Sequence, residues 1–412
     1  MSSPEVDYNA LEATTSIEEM TGYELNQNTL RSLKNDELPS LCLYSEGVAM
    51  VAGEYELFSS TELGWLGHFM KKSTRLERFG ICGLLIFDNC SEQSVDRFLD
   101  ELGKCNHIQQ MNFSGFELDQ IIYKLGPAMI SNNITHLDVE GCYMGVPEAI
   151  FLFNTLRDMS SLEELWISWE LDDARGPNDA IMAECIPSLA TCTGMRKLTL
   201  NDLTLSTNSC AALSGVFPRM SALLELDLGG NLIDDDCARF LAQGLSESIQ
   251  ILSLNLSHNR ISDDGLDVLI QGLPESVEAL DLGGNEVTLA QQIPLLRLKV
   301  LDLWGNILSL DGPRVIAASL ANPECRLEEL NLNRCNIGDE GAATLAEGLQ
   351  NNQRLIRMLL AESNIREEGW NAFLPILCDA SSINATHGSN HTLQNLGFHR
   401  NNPQDVDIMF LA

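Results

Sequence analysis

The sequence has no apolar run approaching the ~20 residues that a membrane span needs. Its N-terminus, MSSPEVDYNALEATTSIEEM, has neither the basic start nor the apolar stretch of a secretion signal, and it is too acidic for an organelle transit peptide. Basic residues are scarce, 25 against 59 acidic ones, for a formal net charge of −34 over 412 residues. Nucleic acids and anionic membranes are recognised through a basic footprint, so neither is an expected partner. The charge favours solubility and a protein partner with a basic surface. There is no G-x-x-x-x-G-K-[ST] phosphate loop, and no Ser/His/Asp set stands in a nucleophile context. The pairs Gly229-Gly230 and Gly283-Gly284 fall at predicted strand ends, not in phosphate loops.

Cysteine is not scarce, with twelve, but the residues are scattered rather than paired. Reduced, packed thiols in a cytoplasmic protein are expected, not a disulfide framework. His387 and His391 lie four apart with Cys378 nearby, but no helix or paired cysteine supports zinc there. No metal and no cofactor are expected. Asn112, Asn133, Asn255 and Asn384 open Asn-x-Ser/Thr sequons. Asn112 and Asn255 fall inside predicted strands, where a glycan would clash, so chance is the better reading.

What the sequence does have is repetition. Residues 226–245 read LDLGGNLIDDDCARFLAQGL and residues 254–273 read LNLSHNRISDDGLDVLIQGL, 28 positions later. The shared pattern is L-x-x-L-x-L-x-x-N-x-L, with other apolar residues allowed for Leu. Apolar residues alternate up to the Asn and then fall at helical spacing, as in Phe240, Leu241 and Leu245. Period 2 followed by period 3.6 predicts a strand and then a helix in each unit. Unit starts fall at Leu76, Ile108, Ile134, Leu162, Met195, Leu223, Ile251, Val277, Leu298, Leu327 and Leu355, with a degenerate copy at Leu393. Most steps are about 26 to 29 residues; the unit at 277 is short and the unit at 162 is long. The first register is the least defined, with 82–90 as the alternative start.

Four divisions follow. Residues 1–36 are polar and acidic, and partial disorder is expected there. Residues 37–75 form an N-terminal cap region, with a helix over about 59–74 opened by a capping box at Ser59-x-x-Glu62. Residues 76–381 hold about ten to eleven repeats, the last helix spanning 366–381. Residues 382–412 form a C-terminal cap with the degenerate repeat, and the terminal DVDIMFLA looks like part of an incomplete cap.

One strand–helix unit cannot bury its own apolar residues. Stacked on a neighbour, positions one, four, six and eleven enter a continuous core, each fully buried Leu contributing ~1.5–3 kcal/mol. The ninth position has a different task. There the strand ends, and an amide offers donors and an acceptor to the peptide groups of adjacent turns. Asn231, Asn259, Asn285 and Asn306 occupy it in succession; Cys142 and Cys335 replace it as small apolar fillers. The acids that follow (Asp234, Asp235 and Asp236; Asp263 and Asp264; Asp339 and Glu340) stand just before predicted helices and read as N-terminal caps. Strands stack at about 4.8 Å and helices at about 10 Å, so the stack should bend with its strands inside.

LDLGGNLIDDDCARFLAQGL and LNLNRCNIGDEGAATLAEGL resemble leucine-rich repeats of the ribonuclease-inhibitor type, with Asn or Cys at the ninth position and a G-A-x-x-L-A helix such as 341–346. The match is closest over 195–366. The resemblance implies an α/β leucine-rich-repeat solenoid, a horseshoe with a parallel sheet on its concave face and helices on its convex face. Relatives of this type are implied to grip other proteins, and one branch activates the Ran GTPase. A GTPase activator needs a positioned Arg, for which Arg175 is the candidate here, although the branch's catalytic-loop context is not found.

Positions three, five and seven should point from the strands into the concavity. This assigns Asp138, Trp166, Asp227, Asn255, Asp281, Asp302, Asn331, Glu329 and Trp304 to the partner-binding face, with Trp169 near the strand edge. Tryptophan beside charge is typical of the few residues that dominate protein interfaces. A non-enzymatic module presenting an acidic concave face to a protein partner is the expected function, and GTPase activation is the alternative.

Overall fold

The computed structural model describes residues 6–45, 53–169, 176–246, 250–291, 293, 295–378, 381 and 389–397. The chain forms two compact units, Met1–Leu203 and Thr204–Ala412, each a solenoid of strand–helix turns on a parallel sheet. The first unit opens with α1 (Tyr8–Glu12), α2 (Ile17–Met20), α3 (Glu24–Lys34), β1 (Ser40–Tyr44), β2 (Glu54–Glu56) and α4 (Ser60–Met70). Strands and helices then alternate: β3 (Arg78–Cys82), α5 (Glu92–Leu102), β4 (Gln110–Ser114), α6 (Ile122–Asn132), β5 (His136–Cys142), α7 (Val146–Leu156), β6 (Glu164–Trp169), α8 (Asp179–Cys185) and β7 (Lys197–Asn201). Its strands pair in parallel in the order β7-β6-β5-β4-β3-β1-β2.

The second unit runs α9 (Thr207–Val216), β8 (Glu225–Asp227), α10 (Asp235–Leu245), β9 (Ser253–Asn255), α11 (Asp263–Gly272), β10 (Ala279–Asp281), β11 (Val300–Asp302), α12 (Gly312–Leu320), β12 (Glu329–Asn331), α13 (Gly338–Leu349), β13 (Arg357–Leu359), α14 (Glu367–Asn371), α15 (Leu374–Leu377) and β14 (Asn395–Leu396). These strands also pair in parallel, in sequence order. The short repeat at 277 has lost its helix among the described residues; Val287, Leu289, Ile293 and Leu295 fill its share of the core from an irregular stretch.

The repeat register holds. Every expected start from Leu76 to Leu355 is buried, as are the fourth and sixth positions of both opening copies, Leu226, Leu228, Leu254 and Leu256. The ninth-position amides are aligned and do the bonding expected of them. Asn259 Oδ1 accepts the Ile233 N–H of the preceding turn at 2.9 Å, while its Nδ2 donates to Leu228 O at 3.0 Å and Leu256 O at 3.1 Å. Asn285 repeats this with Ile261, Leu256 and Leu282, and Asn306 with Val287, Leu282 and Leu303. The two cysteines are more than fillers. Cys335 Sγ donates to Leu303 O at 3.0 Å and Cys142 Sγ to Phe113 O at 3.3 Å, each reaching the previous turn. Burial pushes both thiols up to about 12, so they stay protonated donors.

The acids after the ninth position differ from expectation. Asp234 caps its own helix, accepting the Cys237 N–H at 3.0 Å. Asp235, Asp263 and Asp339 instead reach forward to the next turn. Asp235 Oδ1 accepts the Ser262 and Gly265 N–H groups, and Asp339 Oδ1 those of Arg366 and Gly369. Asp263 takes the N–H groups of Thr288, Leu289 and Ala290, each within 2.8 Å. Burial pushes the Asp263 carboxyl up, but these bonds outweigh it and hold the acid below its ordinary range. The helix glycines follow from this reach, since a Cβ on Gly265 or Gly369 would stand 2.4 or 2.6 Å from the incoming carboxylate oxygen.

Other departures lie at the ends. Residues 8–34, in the stretch expected to be partly disordered, form α1 to α3. Met20, Leu30 and Leu33 are buried, Tyr8 packs edge-on against Trp65, and Asn26 exchanges hydrogen bonds with the backbone of Glu56. Repeat-like strand geometry begins earlier than Leu76, because β1 carries Leu38, Leu41 and Leu43 at template spacing, all buried. At the start of α4, Ser59 caps Glu62, but the Glu62 carboxylate returns to the Phe58 N–H, not that of Ser59. In the Leu76 repeat, Leu84 holds the ninth position yet is exposed. The helix expected over 366–381 is broken into α14 and α15, with Pro375 in the first turn of the second. Arg175, Asn384, His387 and the terminal DVDIMFLA lie outside the described residues. No helix among the described residues is long and apolar enough to cross a membrane.

Replacing Asn259 by Ala leaves the Ile233 N–H buried without a partner and takes one of two donors from the Leu228 and Leu256 carbonyls, which keep those of Asn231 and Asn285. Asn259→Ala should lower the unfolding free energy in urea by about 2 kcal/mol, whereas Asn351→Ala, an exposed change, should shift it by less than about 0.5 kcal/mol. Equal effects would remove the structural role given to the amide.

Candidate functional site

In each unit the residues at positions four and six enter the core, and those at three, five and seven face the other way. In the second unit, position five reads Asp227, Asn255, Asp281, Asp302, Asn331 and Leu359, on strands in register. All six are half-buried. The preference for Asp or Asn has a local cause that the sequence reading missed. As each strand ends, the N–H two residues on turns back, and the position-five oxygen accepts it. Gly229 donates to Asp227 at 3.0 Å, Ser257 to Asn255, Gly283 to Asp281 and Trp304 to Asp302 at 2.8 Å, and Asn333 to Asn331 at 3.1 Å.

An amide performs this task as well as a carboxylate, yet three of these positions carry acids. Among the described residues, none of the three forms an ion pair. The consequence falls on Asp281. Burial, then the neighbouring Asp302 and Asp227, push its carboxyl up to about 6, against the Gly283 N–H and His258. Asp302 shares its second oxygen with Asn331 Nδ2 at 2.7 Å. Glu329 is differently placed, already 3.4 Å from Arg357.

Trp304 stands at position seven beside this row, half-buried. His258 meets its ring edge-on at 5.4 Å between centroids, and the Arg334 guanidinium lies over it at 5.6 Å. Arg334 is itself held by both oxygens of Glu362, at 2.8 and 3.1 Å. The indole is therefore fixed rather than free to collapse. Just beyond β11, Ile307 is 73% exposed and Leu310 fully exposed. Sequence reasoning missed both. The signal was there, because NILSLDG offers three large aliphatic residues and only Leu308 fills a core position.

In the first unit, position five reads Cys42, Gly80, Asn112, Asp138, Trp166 and Thr199. Trp166 is 38% exposed, while Asp138 is half-buried and accepts from Asn112 Nδ2 at 2.8 Å through Oδ2. These residues line a hollow of about 580 Å³. Trp169 does not join the face. The register slips between Val139 and Cys142, so Trp169 pairs with Cys142 and turns into the interior, 8% exposed. Among the described residues, no group of three or more His, Cys, Asp or Glu is placed to hold a metal ion.

The family described as Leucine Rich repeat matches residues 251–269 and 325–346. A ribonuclease inhibitor of Sus scrofa is 29% identical over 52% of this chain and 49% of its own length. The NACHT, LRR and PYD domains-containing protein 14 of Mus musculus is 26% identical over 63% of this chain and 24% of its own length. The chain thus spans half or less of the length of these curated relatives. Among solved structures, an internalin of Listeria monocytogenes covers 93% of this chain and 98% of its own at 13% identity, with a TM-score of 0.46.

Asp281 tests the electrostatics of the face. Its carboxyl sits above its ordinary value in the folded protein, so between about pH 4 and 6 the folded state binds more protons and this group's contribution falls as pH rises. Asp281→Asn keeps the bond to Gly283. In urea melts it should be neutral or stabilising at pH 7.5 and lose that advantage at pH 4.5. Equal destabilisation at both values would show that the carboxylate is structurally needed.

Proposed function

We propose that this leucine-rich-repeat solenoid, related to ribonuclease-inhibitor-like repeat proteins, is a non-catalytic binding module. Its strand face engages a protein partner with a basic surface. The observation that carries the reading is the row Asp227, Asp281 and Asp302. The local turn needs only an oxygen at each of these positions, and the strands at Asn255 and Asn331 supply it without charge. Burial first, and the neighbouring carboxylates after it, make the ionised row costly in the unbound protein, as the shift of Asp281 reflects. A cationic partner would relieve that repulsion on binding. Trp304, braced by His258 and Arg334, supplies a rigid aromatic contact beside the acids, and Ile307 and Leu310 add apolar area at the same end of the strands. The net charge of −34 adds long-range attraction for a basic protein.

The test is affinity capture from a lysate with the full chain and with the Asp302→Asn/Trp304→Ala variant, at low and at physiological salt. The expected result is a set of basic proteins retained by the parent, weakened by salt and lost from the variant. An identical set on both chains would refute the assignment.

A further inference from the structure

The hollow in the first unit differs from the acid row of the second. It is floored by strands whose position-five side chains are small on one side, Cys42 and Gly80, and walled on the other by Trp166. Asp138 and Trp166 are register partners on β5 and β6, so carboxylate and indole stand side by side. Asp138 uses one oxygen for Asn112, while its Oδ1 is buried with no hydrogen-bond partner. A half-buried carboxylate with no cationic partner among the described residues, beside an exposed aromatic face, is the complement of a flat, charged donor. A guanidinium meets both at once, stacking on the ring while an edge N–H faces the carboxylate. An ammonium ion matches the charge but not the flat face.

We propose that this hollow receives an arginine side chain of a protein partner, its guanidinium stacked on Trp166 and paired with the Asp138 carboxylate. The proposal deepens the partner-surface reading above and rests on it for the source of the arginine. The protein's own cations do not fill the role. Arg78 and Lys197 occupy the flanking position-three row, and burial followed by the charge of Glu140 lifts the Asp138 carboxyl to about 6, with no cation opposing them. The titratable groups around Asp138 are His136, Glu140 and Cys142 on its own strand, Glu164 on β6 and Cys82 on β3, with His136 3.4 Å from Glu164. A bound guanidinium favours ionised Asp138, so affinity should rise with pH through about 6 and be lost below it.

The test titrates the full chain with arginine amide, and separately with citrulline amide, its uncharged isostere. The indole N–H signal of Trp166 is followed by NMR, assigned by Trp166→Phe. Arginine amide should shift that signal saturably and citrulline amide should not. Asp138→Asn, which keeps the bond from Asn112, should weaken binding roughly tenfold and flatten its pH dependence, whereas His136→Asn should leave that dependence in place. Equal response to citrulline amide, or an unchanged affinity in Asp138→Asn with a parental unfolding midpoint, would overturn the proposal. The Asp302→Asn/Trp304→Ala variant should keep the full arginine response. Failure of the capture experiment with that response intact therefore counts against the partner reading alone, and loss of the response with capture intact counts against this pocket alone.

Discussion

The structure depends on one constraint: when each strand ends, its backbone loses the sheet's hydrogen bonds while still buried. A buried peptide group without a partner is costly, and a single turn cannot supply partners from its own backbone. The amides of Asn259, Asn285 and Asn306 solve this by accepting from the turn before and donating to both turns. Each turn is thereby completed only by its neighbour. Cohesion between turns is directional as well as hydrophobic, and the register of one strand against the next is fixed at a polar point inside an apolar core.

The same logic recurs at the other polar positions. Asp235, Asp263 and Asp339 satisfy the first N–H groups of the following turn, and the glycine opposite Asp235 and Asp339 exists because the carboxylate comes so close. Near the C-terminal end, Asn390 donates to Leu349 and Asn352, and Asn352 to Leu320. Position five closes the list by tying down the residue two further on. Since so much of the polar pattern is consumed internally, charge that no turn requires becomes informative. Asp227 and Asp281 are such charges, as Asn255 and Asn331 show for the turn itself; Asp302 also spends its second oxygen on Asn331.

The periodic part of this design was legible in the residues. Alternation before the ninth position and helical spacing after it located each start from Leu76 to Leu355, because burial is imposed on every turn alike. The departures have physical causes that periodicity does not carry. The polar composition of 8–34 hid three helices that are held by a few buried contacts, among them Leu30, Leu33 and the amide of Asn26. Leu38, Leu41 and Leu43 did carry the strand pattern, but the step from Leu38 to Leu76 is longer than the repeat period and so hid it. The forward reach of Asp263 depends on where the next turn lies, which spacing within one turn cannot give. Trp169 was assigned outward by counting and turned inward by a slip in pairing between β5 and β6. Of the candidate face, the acids and Trp304 were visible in the template, whereas Ile307 and Leu310 required knowing that only Leu308 enters the core.

Turn-to-turn closure by buried amides is the claim on which the remainder stands, and native-state hydrogen exchange measures it most directly. The N–H groups of Ile233, Ile261 and Val287 each donate to the amide oxygen of the following turn. They should exchange only through cooperative opening of the second unit, at the slow rate of core strand amides such as those of Leu254 and Leu280. Exchange at the rate of exposed loop amides, with the strands still protected, would contradict the account.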